Sequence, residues 1–106
     1  MKNIKIHRTK YFAASIHVYD VIIASDSGEE RKLALKNGES IIFELDDNDY
    51  SLSIWYHSFS NKTRFQIGNT YFVKASDTDK DLVFDQVGRG FKAMMALMDR
   101  STRQLY

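Results

Sequence analysis

Runs of β-branched and aromatic residues, five to nine positions long and closed by Gly, Asn, Asp or Ser, recur through the first 87 residues of this chain. That rhythm suits short strands and leaves no room for a long helix before residue 88. The clearest run covers residues 50–57, where Leu52, Ile54 and Tyr56 share one face and Ser51, Ser53 and Trp55 the other. A period of two of this kind requires one buried face. Residues 3–9, 31–36, 39–46, 62–67, 70–75 and 82–87 read as further strands. Residues 15–24 form another, whose apolar positions change parity after Asp20, the mark of a bulge or of a strand covered on both faces. Asn37-Gly38 is a tight-hairpin dipeptide, which makes 39–46 the return strand of 31–36. Seven or eight short strands at intervals of about 8–12 residues predict a mainly β fold, an antiparallel sandwich.

Size and composition agree. A chain of 106 residues makes one domain and buries roughly two thirds of its unfolded surface, enough for a single core. It has no cysteine, so disulfides, thiolate metal sites and cysteine nucleophiles are excluded together. A formal net charge of +1 speaks against a specific nucleic-acid binder, and 43% apolar residues against disorder. The basic start, Lys2, Lys5, Arg8 and Lys10, together with Arg89, Lys92, Arg100 and Arg103 near the end, would form one basic patch if the termini lie close. Polar residues interrupt the N-terminus before a signal-peptide core can form, and no apolar stretch spans a membrane. These features predict a cytoplasmic protein.

Beyond residue 87 the rhythm changes. Gly88-Arg89-Gly90 reads as a hinge, and Phe91, Met94, Met95 and Met98 fall at i, i+3, i+4 and i+7, the apolar stripe of an α-helix over 90–100. The chain therefore divides into a sandwich, 1–87, and a C-terminal amphipathic helix with a polar tail, 88–106. A methionine-rich face adapts to the surface it meets. Phe91, Met94, Met95 and Met98 are accordingly the predicted partner-binding residues, for self-association or for another protein.

The order Leu33-x-Leu35-Lys36-Asn37-Gly38-Glu39-Ser40-x-x-Phe43-x-Leu45, an acidic turn, Tyr50-Ser51-Leu52, then Ile67-Gly68-Asn69-Thr70-Tyr71-Phe72-Val73 resembles the small bacterial β-sandwiches of the PEGA type. It is similar also to a related domain common in bacterial lipoproteins. The likeness spans about residues 16–84 and implies an immunoglobulin-like fold with a scaffolding or binding role. Asp47-Asn48-Asp49 stands where those families have a Pro-Gly turn, and residues 1–10 do not read as their exported leader.

Signals of chemistry are sparse. Asp77-x-Asp79-x-Asp81 opens like a calcium loop, but Leu82 stands where the loop needs glycine and Gly88 where it needs a bidentate glutamate. His7, His17 and His57 lie in no metal-binding spacing, so no metal is expected. Glu44 and Asp46 share a strand face beside a turn, which reads as solvated charge. No nucleophile elbow or phosphate loop occurs. The aromatic run Trp55, Tyr56 and His57 is the one candidate ligand site, suited to stacking on a sugar or another small molecule. The expectation is a non-enzymatic interaction module without cofactor. It would use its terminal helix and an exposed sheet edge, with carbohydrate or small-ligand binding at Trp55 as the alternative.

Overall fold

The computed structural model describes residues 1–10, 18–57, 64–87 and 94–102. They form eight strands: β1 (Lys2–Arg8), β2 (Tyr19–Ser25), β3 (Glu30–Leu35), β4 (Ser40–Leu45), β5 (Tyr50–His57), β6 (Arg64–Val73), β7 (Lys80–Val87) and β8 (Met94–Asp99). Two four-stranded sheets result, ordered β4-β1-β7-β8 and β3-β2-β5-β6. Strands β1 and β7 run parallel, and the other pairings are antiparallel.

Alternation places the core between the sheets. Ile4, Ile6, Phe43, Leu82, Phe84 and Leu97 of the first sheet meet Val21, Ile23, Leu35, Leu52, Ile54 and Tyr71 of the second. Burying a side chain of this size is worth roughly 1.5–3 kcal/mol, so this one layer can hold the fold without staples. On β1 the inward row reads Lys2, Ile4, Ile6, Arg8, with a cation at either end. Both cations are buried. Lys2 Nζ donates to Lys74 O at 2.7 Å and Ala75 O at 3.3 Å, and Arg8 Nη1 donates to Leu35 O at 2.8 Å. Two of the four cations near the N-terminus are therefore interior groups, not part of a surface patch.

The structure corrects the sequence reading in three places. The predicted C-terminal helix is absent: no helix occurs among the described residues, and the segment carrying Met94, Met95 and Met98 is strand β8, paired with β7 from Leu82↔Asp99 to Val87↔Met94. Every position from Met94 to Met98 is apolar, and such a run fits a strand covered on both faces as well as it fits a helix. Leu97 and Met98, on opposite faces, are both fully buried. Second, the two strands expected at 62–67 and 70–75 are one strand, β6, interrupted by a bulge. Third, the Asn37-Gly38 turn forms, with Glu39 N–H donating to Lys36 O at 3.0 Å and Gly38 at φ +75°, but it joins strands of different sheets. Strand β4 pairs with β1 instead of β3. In β2 the register is continuous, and its parity change reflects Ile22, buried on the outer face.

Candidate functional site

Each sandwich has two long sides where the edge strands of its sheets face one another, and here the two sides are built differently. On one side stand β6 and β8. Between Leu52↔Tyr71 and Ile54↔Ile67, the single residue Ser53 on β5 lies opposite Gly68, Asn69 and Thr70 on β6. Gly68, at φ +80°, makes this bulge possible, and a Cβ there would come within 2.5 Å of Met95 O. The bulge sends Asn69 across to the other sheet, where its Nδ2 donates to Leu97 O at 2.9 Å and its Oδ1 accepts Leu97 N–H at 2.8 Å. This side is sealed.

On the other side stand β3 and β4. Arg8 N–H donates to Glu39 O at 2.9 Å, which fixes the phase of the β1–β4 ladder. Bonded pairs alternate in antiparallel sheets, so Ile41, Phe43 and Leu45 turn their backbone groups to β1, while Ser40, Ile42 and Glu44 turn theirs to the free edge. Among the described residues no strand pairs with that edge. The Ile42 side chain, on the outer face, is 68% exposed. A cleft of about 200 Å³ opens where the edges diverge, lined by Ile23, Arg31, Glu44, Leu45 and Tyr50 among others. Arg31 Nη2 reaches over it to Glu44 O, a long bond of 3.3 Å on an exposed side chain.

Natural edges are blunted by charge, proline, bulges or cover. Strand β3 carries Glu30, Arg31 and Lys32, and β6 and β8 cover each other. Strand β4, Ser40-Ile41-Ile42-Phe43-Glu44-Leu45, has no lysine, proline or bulge and keeps an isoleucine at the centre of its open rim. Sequence reasoning expected an exposed edge without locating it. The signal was Ile41-Ile42-Phe43: three consecutive apolar residues in a strand put one on the wrong face.

The expected partner-binding stripe is divided. Met95 packs against the core, Met98 is fully buried on the outer side of its sheet, and Met94 is 62% exposed; Phe91 lies outside the described residues, as do the Gly88–Gly90 hinge and His17. The expected ligand site is divided as well. Tyr56 turns inward, edge-on to Tyr19 at 6.4 Å and tilted against Phe65 at 5.1 Å. Trp55 lies on the outer face, its Nε1 donating to Ser53 Oγ at 2.8 Å and its ring under the Arg64 guanidinium at 4.9 Å. The His57 side chain lies outside the described residues. The indole is thus covered by an arginine of the neighbouring strand, a cation–π contact. Its one donor is already engaged.

His7 and Ser40, distant in sequence, do meet: Nδ1 and Oγ are 2.7 Å apart on opposite residues of β1 and β4. The pair lies on an open sheet face, and neither residue lines the clefts around β3–β4 or the acidic turns. The three acidic groups of Asp77-x-Asp79-x-Asp81, which fail the calcium-loop pattern in sequence, are engaged separately in the structure. Asp77 Oδ2 accepts Lys74 N–H at 2.8 Å, Asp79 Oδ1 accepts Asn3 N–H at 2.7 Å, and Asp81 faces Arg100 at 4.0 Å. Among the described residues no three His, Cys, Asp or Glu side chains gather to hold a metal. Asp46 similarly accepts Tyr50 O–H at 2.7 Å and Asn48 N–H at 3.2 Å, and these bonds, the tyrosine's foremost, hold its carboxyl below the ordinary aspartate range.

The fold and its edges define a small all-β domain of two packed four-stranded sheets, one side sealed and the other, among the described residues, open. No helix among the described residues is long and apolar enough to cross a membrane. Compared with known proteins, the chain matches no family model, no curated protein and no solved structure.

Proposed function

We propose that this domain is a non-enzymatic protein-interaction module that takes an extended strand along the open edge of β4. One observation carries the reading: Ile42 is 68% exposed at the middle of an edge strand whose outward N–H and C=O groups meet no other strand among the described residues. Strand addition uses such an edge for affinity, through main-chain bonds, and the alternate side chains for choice of partner. Among the described residues the other three edge strands are charged or mutually covered, and β4 is the edge left available. The resemblance to scaffolding and binding sandwiches agrees with this reading.

Selection from a displayed library of random peptides tests it. Peptides recovered on the wild-type domain should alternate in hydrophobicity, as strands do, and should lose binding to the Ile42→Lys variant while keeping it to Lys32→Ala on the other edge. Selected peptides indifferent to Ile42→Lys would refute the proposal.

A further inference from the structure

Strand addition at β4 leaves open what adds, and the sequence of the strand itself supplies an answer. The groups free to bond a newcomer belong to Ser40, Ile42 and Glu44. Ser40, a hydroxyl, and Glu44, a carboxylate, stand two positions to either side of Ile42, so an antiparallel copy centred there sets one against the other. We infer that the occupant is a second copy of this chain, its β4 running antiparallel to the first with Ile42 opposite Ile42 on a twofold axis; this rests on the strand-addition reading above.

The register follows from what each alternative would juxtapose. With Ile42 opposite Ile42, the exposed isoleucines cover each other and Ser40 faces Glu44 of the second copy, a hydroxyl against a carboxylate. Ser40 already touches His7, 2.7 Å away, so Glu44 of the second copy would arrive beside a hydroxyl and an imidazole and not beside a like charge. A shift of two residues one way sets Ile42 against Glu44, and the other way sets Ile42 against Ser40, leaving the apolar side chain against a polar one. A larger shift sets Glu44 against Glu44, which like-charge cross-strand pairing disfavours. One register satisfies every outward residue. A twofold interface is also the ordinary way for a self-complementary surface to close on itself.

Two further features favour a second copy. The net charge of +1 puts little long-range repulsion between copies. Arg31 holds Glu44 O only by a 3.3 Å bond from an exposed side chain, so the carbonyl keeps a lone pair for Ser40 of the second copy. The product is a continuous eight-stranded sheet, β8-β7-β1-β4 joined to its own image.

Absence of native cysteine permits a direct register test with the full chain. Opposed residues in a bonded antiparallel pair lie about 5.5 Å apart at Cα, within reach of a disulfide. Under mild oxidation Ile42→Cys should give a covalent dimer. Ser40→Cys and Glu44→Cys should each form no disulfide-linked dimer alone, since each residue lies about 14 Å from its own image, and should cross-link when mixed. Sedimentation of the wild type should show reversible dimerisation, weakened roughly tenfold or more by Ile42→Lys. Circular dichroism should show that variant folded, because Ile42 is exposed in the single chain. Equal cross-linking of all three cysteine variants, or a wild-type chain monomeric at millimolar concentration, would overturn the self-pairing. If that monomer still took up library peptides in an Ile42-dependent way, strand addition would stand and only the identity of the occupant would fail; if it took up none, both would fail.

Discussion

The carboxamide of Asn69 pairs with the backbone of Leu97 as a strand residue would, accepting its N–H at 2.8 Å and donating to its C=O at 2.9 Å. The ladder between β7 and β8 turns these two groups of Leu97 away from β7, toward the rim. A side chain from the other sheet therefore ends the β8 edge at its centre. On β4 the described residues supply only the long, exposed bond from Arg31 to Glu44 O and leave Ile42 at the centre unbridged, and the difference between the two sides is the basis of the functional reading.

Replacing Asn69 by alanine should leave Leu97 N–H and C=O without those partners in a part-buried setting, at a cost of about 2–3 kcal/mol. Asn69→Asp should not rescue it, because a carboxylate can accept from Leu97 N–H but cannot donate to Leu97 O. Urea unfolding followed by circular dichroism measures both. Unchanged midpoints would show that the bridge contributes nothing.

Gly68→Ala should cost about 2–3 kcal/mol, through a left-handed backbone that alanine disfavours and a Cβ 2.5 Å from Met95 O. Gly28, also at positive φ but with open space around its missing Cβ, is the control and should lose about 1 kcal/mol or less. Thermal unfolding of the two variants separates strain from collision.

The strand rhythm was legible, and the reasons it misled at β8 and at β6 are physical. Met94 and Met98 lie four apart and share a face in a helix and in a strand alike, so the spacing could not distinguish them. Burial of Leu97 and Met98 on opposite faces could have decided it, but burial is a property of the fold. Gly68-Asn69 signals a turn and a bulge equally, and only the partner strand β5, one residue long where β6 has three, selects the bulge. Seven or eight strands were expected and eight are found among the described residues, but by compensation: two predicted strands fused into β6 and a segment of the predicted helix became β8. The Asn69 bridge was illegible, since nothing local marks a side chain that completes a ladder 28 residues away. The Arg64 cover on Trp55 was equally hidden, although the outward direction of Trp55 followed from alternation.

Arg8 should not tolerate lysine. Its guanidinium stacks 3.8 Å from the Tyr19 ring centroid while Nη1 bonds Leu35 O, and burial is the main influence lowering its pKa. A lysine ammonium cannot stack as a plane or fork to two sites. Arg8→Lys should destabilise by about 1–3 kcal/mol and loosen the edge-on contact of Tyr19 with Phe84, measured as a change in near-ultraviolet circular dichroism. An unchanged spectrum and stability would contradict this.

Acid stability should depend on Tyr50. The folded-state pKa of Asp46 is depressed chiefly by the Tyr50 hydroxyl, so its stabilising contribution is full above the unfolded aspartate value of about 3.9 and is lost as pH falls through the lower folded value. Tyr50→Phe should return the Asp46 carboxyl toward the ordinary range and reduce the pH dependence of stability below about pH 4. Carboxyl-carbon NMR titration reads the first effect and acid unfolding the second. Asp99, lowered mainly by Ser101, should hold its depressed value in this variant and serves as the internal reference.

Amide hydrogen exchange resolved residue by residue tests the asymmetry of the two sides most directly. In dilute protein the amides of Ile41 and Phe43, bonded to β1, and of Leu97, bonded to Asn69, should be protected, while Ile42 between the first two exchanges freely. Raising the protein concentration should slow Ile42 and leave Leu97 unchanged. A protected Ile42 in the most dilute sample, or a Leu97 amide that exchanges as fast as Ile42, would contradict a domain sealed along one edge and open along the other.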